Sequence, residues 1–285
     1  MKLFIIGASG YIGKPLAARA AECFQIVTTS TTGESASTAF DLRQPGAFDY
    51  ESIADSDVVL LAAAISSPDI CAKQHDYAWG VNVDATASFI EGVTSRGARV
   101  IFFSSDTVYG ERTESFGDGA PCQPAGEYAG MKQAVEQKFR GCPLFKSLRL
   151  SYVFSRHDKF TKYLEMCAVN GQEAELFHPF YRAIIHREDV VEGALALAMR
   201  WGDFAQQNLN VGGPDVLSRN DFAAEIQQHA FPSLKFRTTI PDDEFFLNRP
   251  RVIAMKSPSL EQLLGRQPRR LGEAIEWEFS KETTK

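Results

Sequence analysis

The chain has 285 residues, of which 44% are hydrophobic and 23% are charged, and its formal net charge is −6. This length supports one large domain or two smaller ones, and the composition is ordinary for a globular protein. The acidic balance argues against nucleic acid or an acidic membrane surface as a partner, and no run of about 20 apolar residues is present to span a bilayer.

The cysteine and histidine patterns indicate neither a disulfide framework nor a metal site. The five cysteines are odd in number and have no C-x-x-C spacing, and the five histidines form no H-E-x-x-H pattern. The chain also starts with a strand-like run rather than with the pattern of a signal peptide. We therefore expect a cytoplasmic protein with free thiols and without a bound metal.

A β-α-β unit is predicted at the start of the chain. The apolar run Lys2–Ile6 is typical of a buried strand, Pro15–Phe24 of a helix, and Gln25–Thr29 of a second strand. Between the first strand and the helix lie three glycines at a spacing of three residues: Gly7, Gly10 and Gly13. Glycines in this place permit a tight turn and let a pyrophosphate approach the helix N-terminus, so the segment predicts dinucleotide binding.

The residues after the second strand favour NADP over NAD. An acidic residue there would bind the ribose 2′-hydroxyl, whereas this chain continues with Thr29, Ser30 and Thr31. Hydroxyl groups can bind a 2′-phosphate without repelling it, and Lys14 and Arg43 could add positive charge. The alternative is that these residues only continue a β-prone loop.

Further cofactor contacts are expected along the next two elements. Asp41-Leu42 follows a short third strand, where the carboxylate could contact the adenine. The run from Asp57 to Ala64 predicts a strand buried on both faces, and the small residues at its end would let a flat cofactor lie close. Asn82 starts the predicted helix Val81–Arg96, either as a cap or as a site residue.

Hydroxyl side chains end the strand predicted over Arg99–Ser104. Ligands of open α/β sheets bind at the carboxyl ends of the strands, so Ser105 could hydrogen-bond a substrate carbonyl. The segment Glu111–Gly126 is rich in glycine, proline and polar residues and is predicted to be a loop.

Tyr128 and Lys132 lie four residues apart on the helix predicted to run to about Arg140, and so they share one face. An ammonium held close to a phenol favours the phenolate, and we expect Lys132 to lower the pKa of Tyr128 so that it can exchange a proton.

Regular β-α alternation ends after the strand predicted over Phe145–Val153. A helix over Asp189–Trp201 and a strand over Asn208–Val211 are predicted further on. We therefore predict an α/β fold, a Rossmann-type doubly wound parallel sheet with a smaller C-terminal substrate lobe. Residues 1–154 form the NAD(P)-binding domain, to which 181–212 return, and residues 155–180 and 213–285 form the substrate-binding lobe.

Taken together, these motifs resemble the extended short-chain dehydrogenase/reductase family of sugar-nucleotide epimerases, dehydratases and reductases. The resemblance covers nearly the full length. It is carried by the glycine turn, Asp41-Leu42, the alanine-rich strand end, Asn82-Val83, Ser105–Gly110, Tyr128-x-x-x-Lys132, Arg182–Val190 and Arg249-Pro250. Within the family the chain is most similar to the dTDP-4-dehydrorhamnose reductases, although the segment before Asp189 looks more like the epimerases.

The resemblance implies a role for each matching residue. Tyr128 would be the acid/base, Lys132 would hold the nicotinamide ribose, and Ser105 would bind the substrate oxygen. Substrate contacts are implied for Ser105, Thr107, Val108, Arg182 and Arg249, the two arginines binding the diphosphate. Cofactor contacts are predicted for Gly7, Ser9, Gly10, Tyr11, Ile12, Gly13, Thr29, Ser30, Thr31, Asp41, Leu42, Ala62, Ala63, Ala64, Asn82, Tyr128 and Lys132.

The expected function is an NADP-dependent reduction of a 4-keto group on a nucleotide-activated deoxysugar. One alternative is an epimerase or dehydratase with tightly bound NAD; against a dehydratase, Thr107 stands where a glutamate is expected. A second is a non-catalytic, cofactor-binding regulatory subunit, which is disfavoured because the tyrosine and the lysine are both present. Arg249 has the alternative of an inter-lobe ion pair, and a homodimer through the helices near 83–96 and 127–140 is possible.

Overall fold

Residues 1–34 and 36–280 are described by a computed structural model. In this part of the chain, seven parallel strands form a central sheet in the order β12-β7-β5-β4-β1-β2-β3. These strands are β1 Lys2–Ile6, β2 Gln25–Ser30, β3 Thr38–Ala39, β4 Val58–Leu61, β5 Arg99–Ser105, β7 Phe145–Leu150 and β12 Asn208–Val211. The predicted doubly wound α/β fold is thereby confirmed.

Helices cover both faces of the sheet and continue through the C-terminal part. Their bounds are α1 Gly13–Ala20, α2 Pro68–Lys73, α3 His75–Trp79, α4 Thr86–Ser95, α5 Glu127–Lys138, α6 Lys159–Asn170, α7 Arg187–Met199, α8 Arg219–His229, α9 Asp243–Phe246, α10 Pro258–Leu264 and α11 Leu271–Ser280. A π-helical turn, Gly80–Ala85, joins α3 to α4. Within the described residues, no helix combines the length and apolar character needed to cross a membrane.

Within the described residues, eight further strands pair outside the central sheet. They are β6 Arg112–Phe116, β8 Val153–Phe154, β9 Glu173–Phe177, β10 Tyr181–Ala183, β11 Ile185–His186, β13 Val216–Ser218, β14 Lys235–Thr239 and β15 Ile253–Met255. Strand β6 pairs with β15, so the expectation that Glu111–Gly126 is only a loop was wrong. Its side chains alternate only weakly between apolar and polar, and the strand forms through a partner about 140 residues away in the chain.

Two apolar layers cover the sheet, one on each face. Side chains of β1 alternate between them: Leu3 and Ile5 join the layer under α1, α7 and α10, while Phe4 and Ile6 join the layer under α4 and α5. A third cluster lies among α6, α8 and α11. This cluster also contains Phe154 and Ile184, from the segments assigned to the first domain, and the division into two lobes stays a prediction.

The strand order reverses between β1 and β4, because the chain first winds outward through β2 and β3 and then returns to β4. A crevice opens at such a reversal, at the carboxyl ends of the strands. The turn after β1 fits this place only with glycine. Gly7 has a φ of +87°, and a Cβ on Gly13 would lie 2.1 Å from the carbonyl oxygen of Gly7.

This close approach predicts that Gly13→Ala destabilises the protein. The added methyl group meets backbone that cannot move aside, and overpacking of this kind costs ~1–3 kcal/mol. The matched control is Gly130→Ala in α5, where a Cβ meets nothing within 4 Å and where alanine stabilises a helix by about 0.5–1 kcal/mol. Urea unfolding measures both variants, and equal stabilities would contradict the packing argument.

Candidate active site

A cleft of about 370 Å³ lies at the reversal point, beside the ends of β1, β2 and β4. Its size is that of a typical small-molecule site. Ten of the predicted cofactor residues line it: Gly7, Ser9, Gly10, Ser30, Thr31, Asp41, Leu42, Ala62, Ala63 and Ala64. The strand β4 ends at Leu61, so the three alanines form the bend that follows it.

The glycine turn is held by the neighbouring strand. The amides of Gly7 and Ala8 donate to the carbonyl oxygen of Thr29, at 3.2 and 2.8 Å. Thr29 is therefore buried behind the turn, and its hydroxyl has no hydrogen-bond partner within the described residues. A Cβ on Gly7 would lie 2.9 Å from the amide nitrogen of Ala63, so the cradle fits a dinucleotide only with its glycines in place.

Tyr11, Ile12 and Gly13 lie beyond the lining of this cleft. The Tyr11 hydroxyl donates to the hydroxyl of Ser155 at 2.9 Å, and burial raises its pKa. Ile12 packs against the core beneath α1. Tyr11 thus joins the glycine turn to the segment after β8, a contact between residues 144 positions apart in the chain.

Arg43 and Tyr77 also line the cleft, although neither was among the predicted site residues. The Arg43 Nε donates to Asp41 Oδ2 at 2.8 Å, and this hydrogen bond lowers the pKa of the Asp41 carboxyl. The positive charge of Arg43 was visible in the sequence, whereas no local signal marks Tyr77. The Asp41 carboxylate predicted to contact adenine is thus already paired.

Asn82 does not start a helix, because it lies inside the π-helical turn between α3 and α4. Its amide side chain is buried and forms two hydrogen bonds of 2.9 Å, accepting from the Ile65 amide and donating to the Ile65 carbonyl. Asn82 therefore fixes the backbone that follows the three alanines. Its effect on the cleft is one of positioning.

Ser105 ends β5 at the same edge of the sheet. Its hydroxyl accepts from the Thr107 hydroxyl at 2.9 Å and lies 3.4 Å from Asp106 Oδ1. Asp106 is buried, which raises its pKa, and the Ser151 hydroxyl donates to it at 2.8 Å. These polar groups form one connected cluster beside the strand end.

Val108 is placed differently from the prediction. Its side chain is fully buried against Tyr109, Ala183, Ile253 and Met255. A valine in the turn after a strand end gave no indication of which way it would face. Its side chain packs in the core between the β6–β15 pair and the sheet.

Tyr128 and Lys132 lie on one face of α5, as predicted. The Lys132 ammonium is buried, donates to the Phe103 carbonyl oxygen at 2.8 Å, and lies 5.7 Å from the centre of the Tyr128 ring. The helix is thereby attached to β5 two residues before Ser105. Tyr128 shares this region with the buried Asp106 carboxyl, which acts electrostatically on its hydroxyl.

The pKa of Tyr128 is raised, opposite to the direction expected from the lysine. Burial is the main cause, and Cys71 and Asp106 act in the same direction. Burial also lowers the pKa of Lys132 to about 8. Desolvation is the largest effect on both groups, because each loses water when α5 packs on the sheet.

Arg182 and Arg249 were predicted to bind a diphosphate, and both already have partners in the protein. The Arg182 guanidinium donates to the carbonyl oxygens of Tyr181 and Pro250, each at 2.7 Å, and its Nε lies 3.8 Å from Asp106 Oδ2. Arg249 pairs with Asp69 at 2.6 Å. The ion pair considered as an alternative for Arg249 is therefore present.

Arg219, which the sequence did not single out, lies beside these two arginines. Its guanidinium carbon is 4.7 Å from the ring centre of Phe180 and 4.9 Å from that of Phe160. Within residues 1–34 and 36–280, no carboxylate pairs with it, and burial and the charge of Arg249 lower its pKa. Arg219 and Arg182 both line an apolar cavity between α6 and α8.

The comparisons with known proteins agree with this architecture. A dTDP-4-dehydrorhamnose reductase from Clostridium acetobutylicum superposes with a TM-score of 0.84 at 19% identity, covering 100% of both chains. A second, from Bacillus anthracis in complex with NADP, has a TM-score of 0.82 at 18% identity and 98% coverage of both. UDP-glucuronic acid 4-epimerase from Bacillus cereus, in complex with UDP-glucuronic acid and NAD, gives 0.80 at 18% identity, covering 99% of this chain and 100% of the other.

No curated protein sequence matches significantly. The fold and site define an NAD(P)-dependent oxidoreductase of the extended short-chain dehydrogenase/reductase type. The model of the family described as "RmlD substrate binding domain" matches residues 1–283, and the chain therefore belongs to that family.

Proposed function

We propose that this enzyme uses NADPH to reduce a 4-keto group on a nucleotide-activated deoxysugar. This is the type of reaction that the name dTDP-4-dehydrorhamnose reductase describes for two of the similar structures. The observation that carries the proposal is the attachment of Lys132 to the Phe103 carbonyl. It holds the tyrosine–lysine face of α5 at the sheet edge where Ser105 lies. That edge is continuous with the cleft beside the glycine turn.

Each residue at this edge has a separate role in the proposed ketone reduction. The glycine turn, and Lys132 at the nicotinamide ribose, would hold the cofactor, which would supply the hydride needed at C4. The Ser105 hydroxyl binds the ketone oxygen, and Tyr128 gives that oxygen its phenolic proton. Tyr128 is protonated at neutral pH and can donate this proton, although burial, which raises its pKa, makes the phenol a weaker acid.

Replacement of the phenol tests the reaction. The wild-type protein is expected to consume NADPH when a dTDP-4-keto-6-deoxyhexose is added, and Tyr128→Phe to lower kcat by ~10²–10⁴-fold because the proton donor is lost. NADPH affinity should change little. Nicotinamide absorbance measures the rate, with Tyr163→Phe, at a hydroxyl that accepts from the Glu175 amide, as the control.

Equal rates of NADPH consumption for the wild type and Tyr128→Phe would contradict this mechanism. NAD that stays bound through purification, together with interconversion of two nucleotide sugars and no net NADPH consumption, would instead establish the epimerase alternative. That alternative rests on the segment from Arg182 to Asp189. In this structure Arg182 donates to backbone carbonyls, and the buried His186 pairs with Glu278 at 3.0 Å.

The preference for NADP is supported by the groups at the end of β2. Ser30, Thr31 and Arg43 line the cleft together, and the guanidinium of Arg43 is half exposed beside Asp41. A guanidinium and two hydroxyls suit a 2′-phosphate, which carries charge that the ribose of NAD lacks.

Arg43→Ala is therefore expected to weaken NADPH binding by about tenfold or more, the value of one charge-assisted hydrogen bond, while NADH binding changes little. Fluorescence titration measures both affinities. Arg19→Ala is the matched control, since Arg19 of α1 is equally exposed and pairs with Glu22, just after the end of that helix. Equal weakening of both nucleotides would show that Arg43 does not read the 2′-phosphate.

For the substrate diphosphate we propose Arg219 beside the predicted Arg182 and Arg249. Within the described residues, Arg182 donates to carbonyl oxygens and Arg249 pairs with a carboxylate. The guanidinium of Arg219 has neither kind of partner there and packs against aromatic rings. A bound phosphate would offset the cost of its burial. The positive charge of Arg219 also repels those of Arg182 and Arg249, and a bound anion would reduce this repulsion.

Arg219→Met is expected to raise KM for the nucleotide sugar by roughly 10–100-fold, the value of hydrogen bonds to a charged group, with kcat nearly unchanged. This pattern identifies binding that is equal in the ground and transition states. Arg237→Met, at an exposed arginine of β14 that pairs with Glu175, is the control. An unchanged KM would remove Arg219 from the substrate site.

A further inference from the structure

The hydroxyl of Tyr11 joins the glycine turn to the segment that follows β8. It donates to the Ser155 hydroxyl at 2.9 Å, and the Val153 carbonyl oxygen lies 3.4 Å from it. The guanidinium carbon of Arg187, the first residue of α7, lies 5.0 Å from the centre of the Tyr11 ring. Ser155 is fully buried, so its hydroxyl depends on protein groups for its hydrogen bonds. The proposed reaction gives the Tyr11 hydroxyl no task.

Ser155 connects Tyr11 to the start of α6. The Ser155 amide donates to Asp158 Oδ2 at 3.1 Å, and the Asp158 amide donates back to the Ser155 carbonyl oxygen at 3.1 Å. Asp158 is the N-cap of α6, because its carboxylate accepts from the amides of Phe160 and Thr161 at 2.8 and 3.0 Å. A displacement of Ser155 would therefore displace the first turn of this helix.

The Asp158 carboxylate also reaches the cavity between α6 and α8. The Tyr152 hydroxyl donates to Asp158 Oδ1 at 2.8 Å. Tyr152 and Phe160 line this cavity together with Arg182 and Arg219, and the Phe160 ring centre lies 4.9 Å from the guanidinium carbon of Arg219. A chain of hydrogen bonds therefore runs from the glycine turn to two side chains in the wall of the arginine-containing cavity.

The two ends of this chain lie where the two ligands are proposed to bind. A pyrophosphate on the glycine turn would fix the backbone between Gly10 and Gly13, which includes Tyr11. A diphosphate at Arg219 would fix the side chains around it. Each ligand would then favour the arrangement in which Tyr11 binds Ser155. Two ligands that favour the same arrangement of a protein bind cooperatively.

We propose that Tyr11 is a positioning residue that couples the two sites, because its hydrogen bond to Ser155 makes the cofactor and the substrate diphosphate bind cooperatively. The inference rests on the proposed function for the place of the diphosphate. It does not depend on which sugar is the substrate. The Tyr11 hydroxyl contacts neither ligand in this assignment, which leaves the Tyr11 backbone for the predicted cofactor contact.

The test compares dTDP binding with and without saturating NADP⁺, two ligands that do not react with each other. In the wild type, NADP⁺ is expected to raise the affinity for dTDP by about fivefold or more, the lower end of the usual coupling between sites. In Tyr11→Phe, which keeps the ring, this factor should fall by about fivefold, the value of one hydrogen bond between neutral groups. Isothermal titration calorimetry measures each affinity, and UDP serves as a second probe.

The matched control is Tyr50→Phe. The Tyr50 hydroxyl also forms a hydrogen bond of 2.9 Å, but to the carbonyl oxygen of Pro45, five residues earlier in the chain. Its coupling factor should equal that of the wild type. Ser155→Ala removes the partner of Tyr11 and should lower the factor as Tyr11→Phe does, with no further loss when the two changes are combined.

A factor near one in the wild type, or an equal factor in the wild type and Tyr11→Phe, overturns the coupling. A purely structural role of the hydroxyl predicts the second result, because a general weakening of the cavity lowers dTDP affinity equally with and without NADP⁺. A wild-type protein that binds neither dTDP nor UDP in either condition would overturn the proposed diphosphate site and this inference with it. Retained binding with an unchanged factor overturns only the role of Tyr11.

Discussion

The burial of the Lys132 ammonium is the constraint on which the candidate site depends. A cation enclosed between α5 and β5 is costly unless its hydrogen bonds are replaced, and one replacement is the carbonyl of Phe103. That bond sets the distance between the helix and the end of β5. The Glu136–Arg149 pair then sets the rotation of the helix, so the position of Tyr128 follows from two buried polar contacts.

The parts of this site that could be predicted from sequence are those dictated by local backbone chemistry. Gly7 and Gly13 predict a turn that only glycine can form, and the apolar run before them predicts a buried strand. The four-residue spacing of Tyr128 and Lys132 likewise follows from helix geometry alone. In each case the cause lies within a few residues of the feature, so no knowledge of the tertiary structure was needed.

The sequence reveals least where distant parts of the chain supply the partners of a side chain. Asn82 has the residue type of a helix cap, but the Ile65 backbone, 17 residues away, takes both ends of its side chain. Arg182 has the residue type of a phosphate ligand, but it binds Pro250, 68 residues further on. The sequence did not single out Arg219, because the phenylalanines around its guanidinium come from other elements. Side-chain partners of this kind are set by tertiary packing, which residue type alone does not reveal.

The electrostatics of the tyrosine–lysine pair carry a consequence for the direction of the reaction. Burial raises the pKa of Tyr128 and lowers that of Lys132, so the surroundings favour the neutral form of each group. A reductase needs its tyrosine protonated at the start of each turnover, and this environment supplies that state. The reverse reaction needs a phenolate, which becomes accessible only when a positive charge is close. The Lys132 ammonium lies 5.7 Å from the centre of the Tyr128 ring, and Asp106 acts against the phenolate. A change in the charge of Lys132 would therefore alter how readily the phenolate forms.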